Sequence, residues 1–409
     1  MKILHTSDWH LGRTLYGRKR YEEFEAFLNW LMEAIHQNNV DALLVAGDVF
    51  DTSTPSHRSQ ELYYHFLCQV AASSCRHVVV VAGNHDSPSF LDAPKALLKA
   101  LDVHVVGSIS KNPEDEVLVL LDAQNTPELI VCAVPYLRDR DIRVAEAGES
   151  LEDKEQKVVN GICNHYTAVI DLAEQKRTAL GADIPVVVMG HLFTAGGQTI
   201  EGDGVRELYI GSLAHVTADI FPENVDYVAL GHLHVPQKVH HSEMVRYSGA
   251  PLPMGFGEAS QQKRIYVVEF HNRAATVQFM DIPVFQRLER IRGDQERILG
   301  RITELSTTGA QAWLEVVYEG DEVIGDLRER LDNAISASHM EILMVKNNRI
   351  INRVLGQIHD GETLDDLNEN DVFERCLAAH EVPEAQRPEL LGAYRETLIS
   401  LNEDDPRNE

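Results

Sequence analysis

The stretch LLVAGDVFD, residues 43–51, decides how this 409-residue chain is read. A short apolar run has the length of a buried strand, and Gly47 permits the sharp turn that must follow it. Asp48 then stands where the chain leaves the sheet. A carboxylate there has two oxygens and can bridge two cations, and the other chemically marked residues are arranged around it.

Upstream, Ile3 and Leu4 begin a short strand that runs into TSDWH at residues 6–10. Phe24, Phe27, Leu28, Leu31 and Ile35 recur at helical spacing over residues 21–37. Downstream, Leu62, Phe66 and Val70 predict a helix over about 58–72, and the strand HVVVVAGNHD follows. This alternation predicts an α/β fold with parallel pairing and right-handed crossovers. In such sheets polar residues at the carboxyl ends of the strands converge on one crevice, which brings DWH, GDVFD and GNHD together. Val159, Ile162, Tyr166, Ile170 and Ala173 predict a long helix over 151–179. PVVVMGH (185–191) and YVALGHLH (227–234) are further strands running into Gly-His, and RIYVVEF with ATVQFMDIP predicts a hairpin turning at 271–273.

Pro283 marks a boundary. Residues 284–346 read as strand, helix, strand, helix, strand, with no catalytic constellation. Residues 347–364 read as a polar linker. Two amphipathic helices follow near 365–379 and 384–401, with Phe373, Cys376 and Leu377 striping the first and Leu390, Leu391, Tyr394 and Leu398 the second. NEDDPRNE is a solvated tail. The expected domains are 1–282, 283–346 and 347–409.

With 37 basic against 64 acidic residues, the net charge of -27 argues against non-specific coating of nucleic acid. It leaves room for an enzyme that neutralises its acids with metal ions and meets its substrate through a local basic patch. No apolar run approaches a membrane span, so no membrane contact is expected. Five cysteines without a CxxC pair fit a reduced, cytoplasmic protein.

Five signatures carry the chemistry: D-x-H (Asp8, His10), G-D-x-x-D (Asp48, Asp51), G-N-H-D (Asn84, His85), G-H (His191) and G-H-x-H (His232, His234). Each alone is more often a turn or a hydrogen-bonded structural group. Together, each after an apolar strand with a small residue at the turn, they specify a site. Carboxylate, imidazole and amide ligands without thiolate suit Mn²⁺, with Mg²⁺ or Fe²⁺ also compatible. Two ions about 3.5–4 Å apart would clamp the attacking and leaving oxygens of an in-line displacement at phosphorus. Asp48 is the candidate bridge. There is no P-loop, so the chain is not expected to bind ATP itself.

These signatures resemble those of the calcineurin-like metallophosphoesterases. LHTSDWHLG, VAGDVFDT, AGNHDS, PYLR and ALGHLH further resemble the bacterial SbcD nuclease subunits and their relatives in double-strand-break repair. The resemblance is strong over about the first 280 residues and looser beyond. It implies a two-sheet sandwich flanked by helices, a small α/β capping domain and C-terminal partner-docking helices. It also implies one metal held by Asp8, His10, Asp48 and His234, and a second by Asp48, Asn84, His191 and His232. His85 would be the proton donor to the leaving alkoxide or a stabiliser of the phosphorane-like state, with Asp51 placed to orient and charge it. Some relatives carry His at the Asp51 position. The implied activity is a DNA exonuclease and hairpin endonuclease of recombination, replication and repair. Its implied assembly is a homodimer within a heterotetramer with an SbcC-like coiled-coil ABC ATPase. The rivals are a small-substrate or cyclic-nucleotide phosphodiesterase of the same fold, and a catalytically silent DNA-end scaffold.

Arg13, Arg18, Lys19 and Arg20, with Tyr16 among them, follow DWH and read either as a DNA-gripping loop or as an exposed basic loop. Nearness to His10 favours DNA. Arg138, Arg140 and Arg143 read as a solvated face. His5, His36, His57, His65, His77 and His215 read as structural or surface histidines, and Trp9 as a packing residue.

Overall fold

The computed structural model describes residues 1–143, 149–194, 216–239, 242–320 and 324–347, with Phe373, Leu377, Arg387, Leu390, Leu391 and Tyr394 beyond them. The chain divides into two compact units that part between Arg287 and Leu288.

Two six-stranded sheets build the first unit. In one, the strands run Ala274–Asp281, Arg264–His271, Lys2–Thr6, Ala42–Ala46, His77–Val81 and Val103–Val106. The last four are mutually parallel, and the predicted hairpin adds antiparallel at the edge. In the other, the order is Gln237–Lys238, Val245–Tyr247, Tyr227–Gly231, Val186–His191, Pro127–Ala133 and Val117–Leu121, parallel in the middle and antiparallel at both edges.

Alternation within each strand explains the layers. Ile3, Leu44, Ala46, Val79 and Val81 meet Leu129, Val131, Val187 and Met189 of the second sheet. Leu4, Leu43, Val45, Val78 and Val80 face the other way, onto helices Tyr21–Asn38 and His57–Ala71. The second sheet's outer face packs on helix Leu151–Leu180, whose start carries a Ser150–Asp153 capping box and whose end turns at Gly181 with φ 60°. Both faces of the central strands are thus apolar, as parallel strands covered by helices require. Polar chemistry is pushed to their ends.

His5 is the exception. Its ring is fully buried, with Nδ1 3.0 Å from the Tyr227 hydroxyl and Nε2 3.2 Å from the Leu230 carbonyl. Burial lowers its pKa to about 3. The folded chain therefore refuses a proton that the unfolded chain accepts below about pH 6.5. The stabilisation is full above that pH and is lost as pH falls toward 3, by up to ~1.4 kcal/mol per pH unit. In EDTA, His5→Gln should flatten the pH dependence of unfolding free energy by about one proton between pH 6 and 4. An unchanged slope in denaturant titrations would reject this.

The second unit contains a three-stranded sheet in the order Arg287–Gly293, Ala312–Tyr318, Glu341–Asn347, with helices Gln295–Thr307 and Leu327–Ile335. Ile298, Ile302, Leu314, Val316 and Leu331 form its core. Of the expected C-terminal helices, the described positions are helical, and the Phe373 and Tyr394 rings stack 4.0 Å apart at 9°. Part of the predicted stripe is therefore used between the two segments. Cys376, Leu398, most of the 347–364 linker and the tail lie outside the described residues, as does His215.

Candidate metal centre

The loops after Lys2–Thr6 and Ala42–Ala46 continue the strand pairing beyond the sheet. Asp8 N–H donates to the Gly47 carbonyl at 2.9 Å, His10 N–H to that of Asp48 at 3.0 Å, and Leu11 N–H to that of Val49 at 2.9 Å. Asp8, His10, Asp48 and His232 all take positive φ, at 52°, 47°, 49° and 103°. Left-handed backbone at non-glycine residues costs on the order of 1–3 kcal/mol each, and it clusters where function requires a fixed geometry. The glycines have a separate reason. A Cβ on Gly83 would lie 2.1 Å from Asp48 Oδ1, and one on Gly47 would lie 2.1 Å from His191 Nδ1. The two strand ends approach too closely for any side chain there.

Seven side chains converge. His10 Nε2 and His234 Nε2 face each other at 3.2 Å, with Asp8 in the same cluster. On the other side, Asn84 Oδ1 lies 3.0 Å from both His191 Nε2 and His232 Nδ1. Asp48 Oδ2 lies between the two groups, 3.6 Å from His10 Nε2 and 3.3 Å from His191 Nε2. Asp8 Oδ1 accepts the His232 N–H at 2.9 Å, and the Ser7 hydroxyl donates to Asp8 Oδ2.

Lone pairs crowded this way repel unless a cation or a shared proton lies among them, and the donor set fits two divalent ions sharing Asp48. Protonation responds to the same crowding. Burial opposes a charged His191 ring, but the Asp48 carboxylate beside it raises its pKa to about 9. Burial, then the neighbouring His191, lowers His232 to about 3. Burial also opposes ionisation of Asp48, yet His191 and His10 hold it well below the usual carboxylate range. A proton on His191 offsets part of the charge that a metal ion would balance. His191 Nδ1 lies 2.9 Å from the Ala46 carbonyl, so with the proton on Nδ1 its Nε2 lone pair is available as a ligand.

Comparison with known proteins agrees. The calcineurin-like phosphoesterase profile matches residues 1–236, and the type 5 capsule protein repressor C-terminal domain profile matches residues 284–381. The SbcD component of the nuclease SbcCD from Escherichia coli (strain K12) is 34% identical over 404 residues, 98% of each chain. The chain belongs to the SbcD family of calcineurin-like phosphoesterases. The SbcD protein of Rhodobacter capsulatus is 37% identical over 281 residues (67% of this chain, 68% of that one), and that of Bacillus subtilis (strain 168) is 34% identical over 273 residues, 66% of each. The two-sheet sandwich is the phosphoesterase fold that SbcD membership entails, and the SbcD chemistry is phosphoester hydrolysis.

Three expectations need correcting within this SbcD-family site. His85 Nδ1 lies 2.8 Å from the main-chain carbonyl of Asp51. The Asp51 carboxylate instead meets His10 Nδ1 at 3.3 Å and Arg13 Nη1 at 3.0 Å, which hold it ionised despite burial. The loop path past Asp51 turns its carbonyl, not its side chain, toward His85. Arg20 is buried, with Nε and Nη2 2.8 and 2.7 Å from the Glu23 carboxylate and Nη1 2.7 Å from the Pro253 carbonyl. It caps a buried acid and is not free to grip phosphate. Arg138 is not a solvated residue: its Nη2 donates to the Asp86 carbonyl at 3.1 Å. Arg18 and Lys19 are exposed on a two-residue-stranded hairpin with Thr14–Leu15, and Tyr16 stacks on Phe256 at 5.9 Å.

Two acids have structural roles that sequence reading does not assign, although the first closes the G-N-H-D signature. Asp86 is buried and accepts N–H bonds from Val49, Phe50 and Gly83 at 3.1, 2.9 and 2.9 Å, pinning the GDVFD loop to the GNHD loop. Burial and the nearby Asp48 raise its pKa to about 6. Glu258 is fully buried, with Oε1 3.7 Å from His234 Nδ1 and Oε2 paired to Lys263, which also donates to the His234 carbonyl at 3.1 Å. A lone acid in LPMGFGE, residues 252–258, is a faint signal for it. His234 is a candidate ligand, and a carboxylate behind a metal-bound imidazole fixes its orientation and basicity. Glu258→Gln should therefore weaken Mn²⁺ binding about 10–100-fold in a variant whose circular dichroism stays native. Unchanged affinity by calorimetry would exclude this role.

Proposed function

We propose that the chain is a metal-dependent DNA nuclease. It hydrolyses phosphodiester bonds as a double-strand exonuclease and hairpin endonuclease, in a complex with an SbcC-like coiled-coil ABC ATPase in recombination and repair. The observation that carries the reading is the pair of ligand groups sharing Asp48 Oδ2, with His85 beside them, in a chain related to SbcD nuclease subunits along nearly its whole length.

In this proposal Asp8, His10, Asp48 and His234 hold one ion, and Asp48, Asn84, His191 and His232 the other, with Mn²⁺ the best-suited pair and Mg²⁺ or Fe²⁺ compatible. Bound there, the ions would activate water and neutralise charge at phosphorus. His85 carries the proton step. With Nδ1–H donating to the Asp51 carbonyl, a ring protonated on both nitrogens gives its Nε2 proton to the leaving oxygen and is left neutral. Its main-chain N–H, 2.8 Å from Asp48 Oδ1, ties that position to the bridge. Asp51 orients His10 and Arg13. Arg13, Arg18 and Lys19 contact the DNA backbone next to the ions, which lets a chain of net charge -27 meet a polyanion at one place.

The remaining division of labour is also proposed. Residues 1–282 are the nuclease domain, 283–346 the capping domain and 347–409 the segment that docks the ATPase. The nuclease domain carries a homodimer, giving a heterotetramer with the partner.

The test is cleavage of linear and hairpin-ended duplex DNA with Mn²⁺, with and without the ATPase and ATP. Cleavage of both substrates supports the reading. Turnover of a small phosphodiester without any DNA cleavage, even by the complex, would replace it with a small-substrate phosphodiesterase. Failure on every substrate with full metal content would leave the scaffold reading.

A further inference from the structure

A second group of metal-ligating side chains stands at the other end of the first sheet. His77 opens the strand His77–Val81, and His104 lies in its neighbour Val103–Val106. The two strands are parallel, with Val79 opposite His104. Side chains two apart share a face, so His77, Val79 and His104 all point the same way. That face is the one buried between the sheets, where Val79 and Val106 pack. Asp102 stands two residues before His104, in a turn with φ 54°. One ring nitrogen of each histidine and one Asp102 carboxylate oxygen lie within 4.8 Å of one another.

His77 is 9% exposed, and its Nε2 lies 2.8 Å from the Leu121 carbonyl, on an edge strand of the second sheet. That bond fixes the proton on Nε2 and leaves Nδ1 with its lone pair. Nδ1 is buried and has no hydrogen-bond partner. A buried acceptor without a partner is destabilising, so buried polar atoms in a close-packed sandwich are as a rule hydrogen-bonded. The arrangement of carbonyl, imidazole and free ring nitrogen is the one that presents a histidine to a metal. Burial and the His77 ring beside it keep His104 below its ordinary pKa, so it too offers a neutral nitrogen.

We propose that His77, Asp102 and His104 bind a single transition-metal cation of the zinc class. Two imidazoles and one carboxylate without thiolate suit Zn²⁺, Co²⁺ or Ni²⁺, with water at the fourth position. Ligands on such an ion stand about 3.4 Å apart, as metal–ligand bonds of about 2.0–2.1 Å require. Asp102 is exposed and His104 half-buried, so these two close on the fixed His77. The ion would join the edge strand of the first sheet to its neighbour beneath the second sheet's Val117–Leu121 strand. At roughly 3.3 Å per residue, His77 and Asn84 are about 20 Å apart, so this site is separate from the catalytic ligands.

The experiment uses the full-length chain. After equilibrium dialysis against Zn²⁺, metal content is measured by mass spectrometry for wild type, His104→Gln and Asp48→Asn. His104→Gln should hold one ion fewer per chain, and Zn²⁺ should raise its Tm less than that of wild type. Mn²⁺-dependent hydrolysis and the Tm in EDTA should match wild type, which separates site loss from misfolding. Equal zinc content in wild type and His104→Gln would overturn the proposal. So would loss of the ion from Asp48→Asn alone with no effect of His104→Gln.

Discussion

Asp48→Asn is expected to lower phosphodiester hydrolysis by about 10³-fold or more and to lower metal content with it. Asp48 Oδ2 lies 3.6 Å from His10 Nε2 and 3.3 Å from His191 Nε2, so one oxygen faces both groups of candidate ligands. Asparagine keeps the shape but removes the negative charge of the proposed bridge between two cations. Whichever way the amide turns, an NH₂ donor faces either a cation or the His85 N–H that now bonds Oδ1 at 2.8 Å. Metal stabilisation of the transition state is worth several kcal/mol, and each 1.36 kcal/mol is tenfold in rate. Losing about 4 kcal/mol across two ions gives the stated factor. The metal-free fold should change less, because Asp86 still pins the two loops through three N–H bonds. Full occupancy by two ions in the variant, with more than a tenth of the activity, would mean that Asp48 is not the bridge.

How much of this is legible in sequence follows from what each signal physically encodes. Apolar runs ending in Gly-Asp, Gly-Asn and Gly-His encode both a buried strand and a close backbone approach behind the ligand. That is why Asp48, Asn84, His191 and His232 can be placed at strand ends, and why Gly47 and Gly83 tolerate no Cβ. Period and length set the three long helices of the first 180 residues, though not the short ones Pro88–Asp92, Lys95–Lys99 and Asp139–Ile142, and the strand–helix alternation of the second unit. The direction a side chain takes from an irregular loop is another matter. Asp51 follows the bridging acid by three, yet its carboxylate turns to His10 and Arg13 while its carbonyl meets His85. Nothing in the spacing distinguishes those two outcomes. Arg20 misleads similarly: an arginine in a basic run reads as exposed until Glu23 and the Pro253 carbonyl are seen to bury it. Glu258 and Lys263 are a pair whose purpose depends on His234, which reaches them only through the fold. Strands Val103–Val106, Val117–Leu121 and Pro127–Ala133 go unread, because they lie in a stretch without chemical markers.

The second large effect separates chemistry from ligation. His85→Ala should slow hydrolysis by about 10²–10⁴-fold, the range of a lost general acid, while both metal ions remain bound. The backbone argument supports retention: the contact from residue 85 to Asp48 is a main-chain N–H, which alanine keeps. The His85 ring does pack edge-on to His10, at 4.8 Å between centroids, so a modest shift of His10 is expected. Asp51→Ala is the informative partner. If the Asp51 carboxylate oriented His85, the two variants would lose comparable rate and the double variant little more. Because the carbonyl makes that contact, Asp51→Ala should spare the His85 step and weaken the His10 side of the metal site instead. Raising Mn²⁺ should then restore much of the rate to Asp51→Ala and almost none to His85→Ala. Restoration of His85→Ala by excess metal would make His85 a ligand. Equal resistance of both variants to added metal would return the Asp51 carboxylate to the role its spacing suggested.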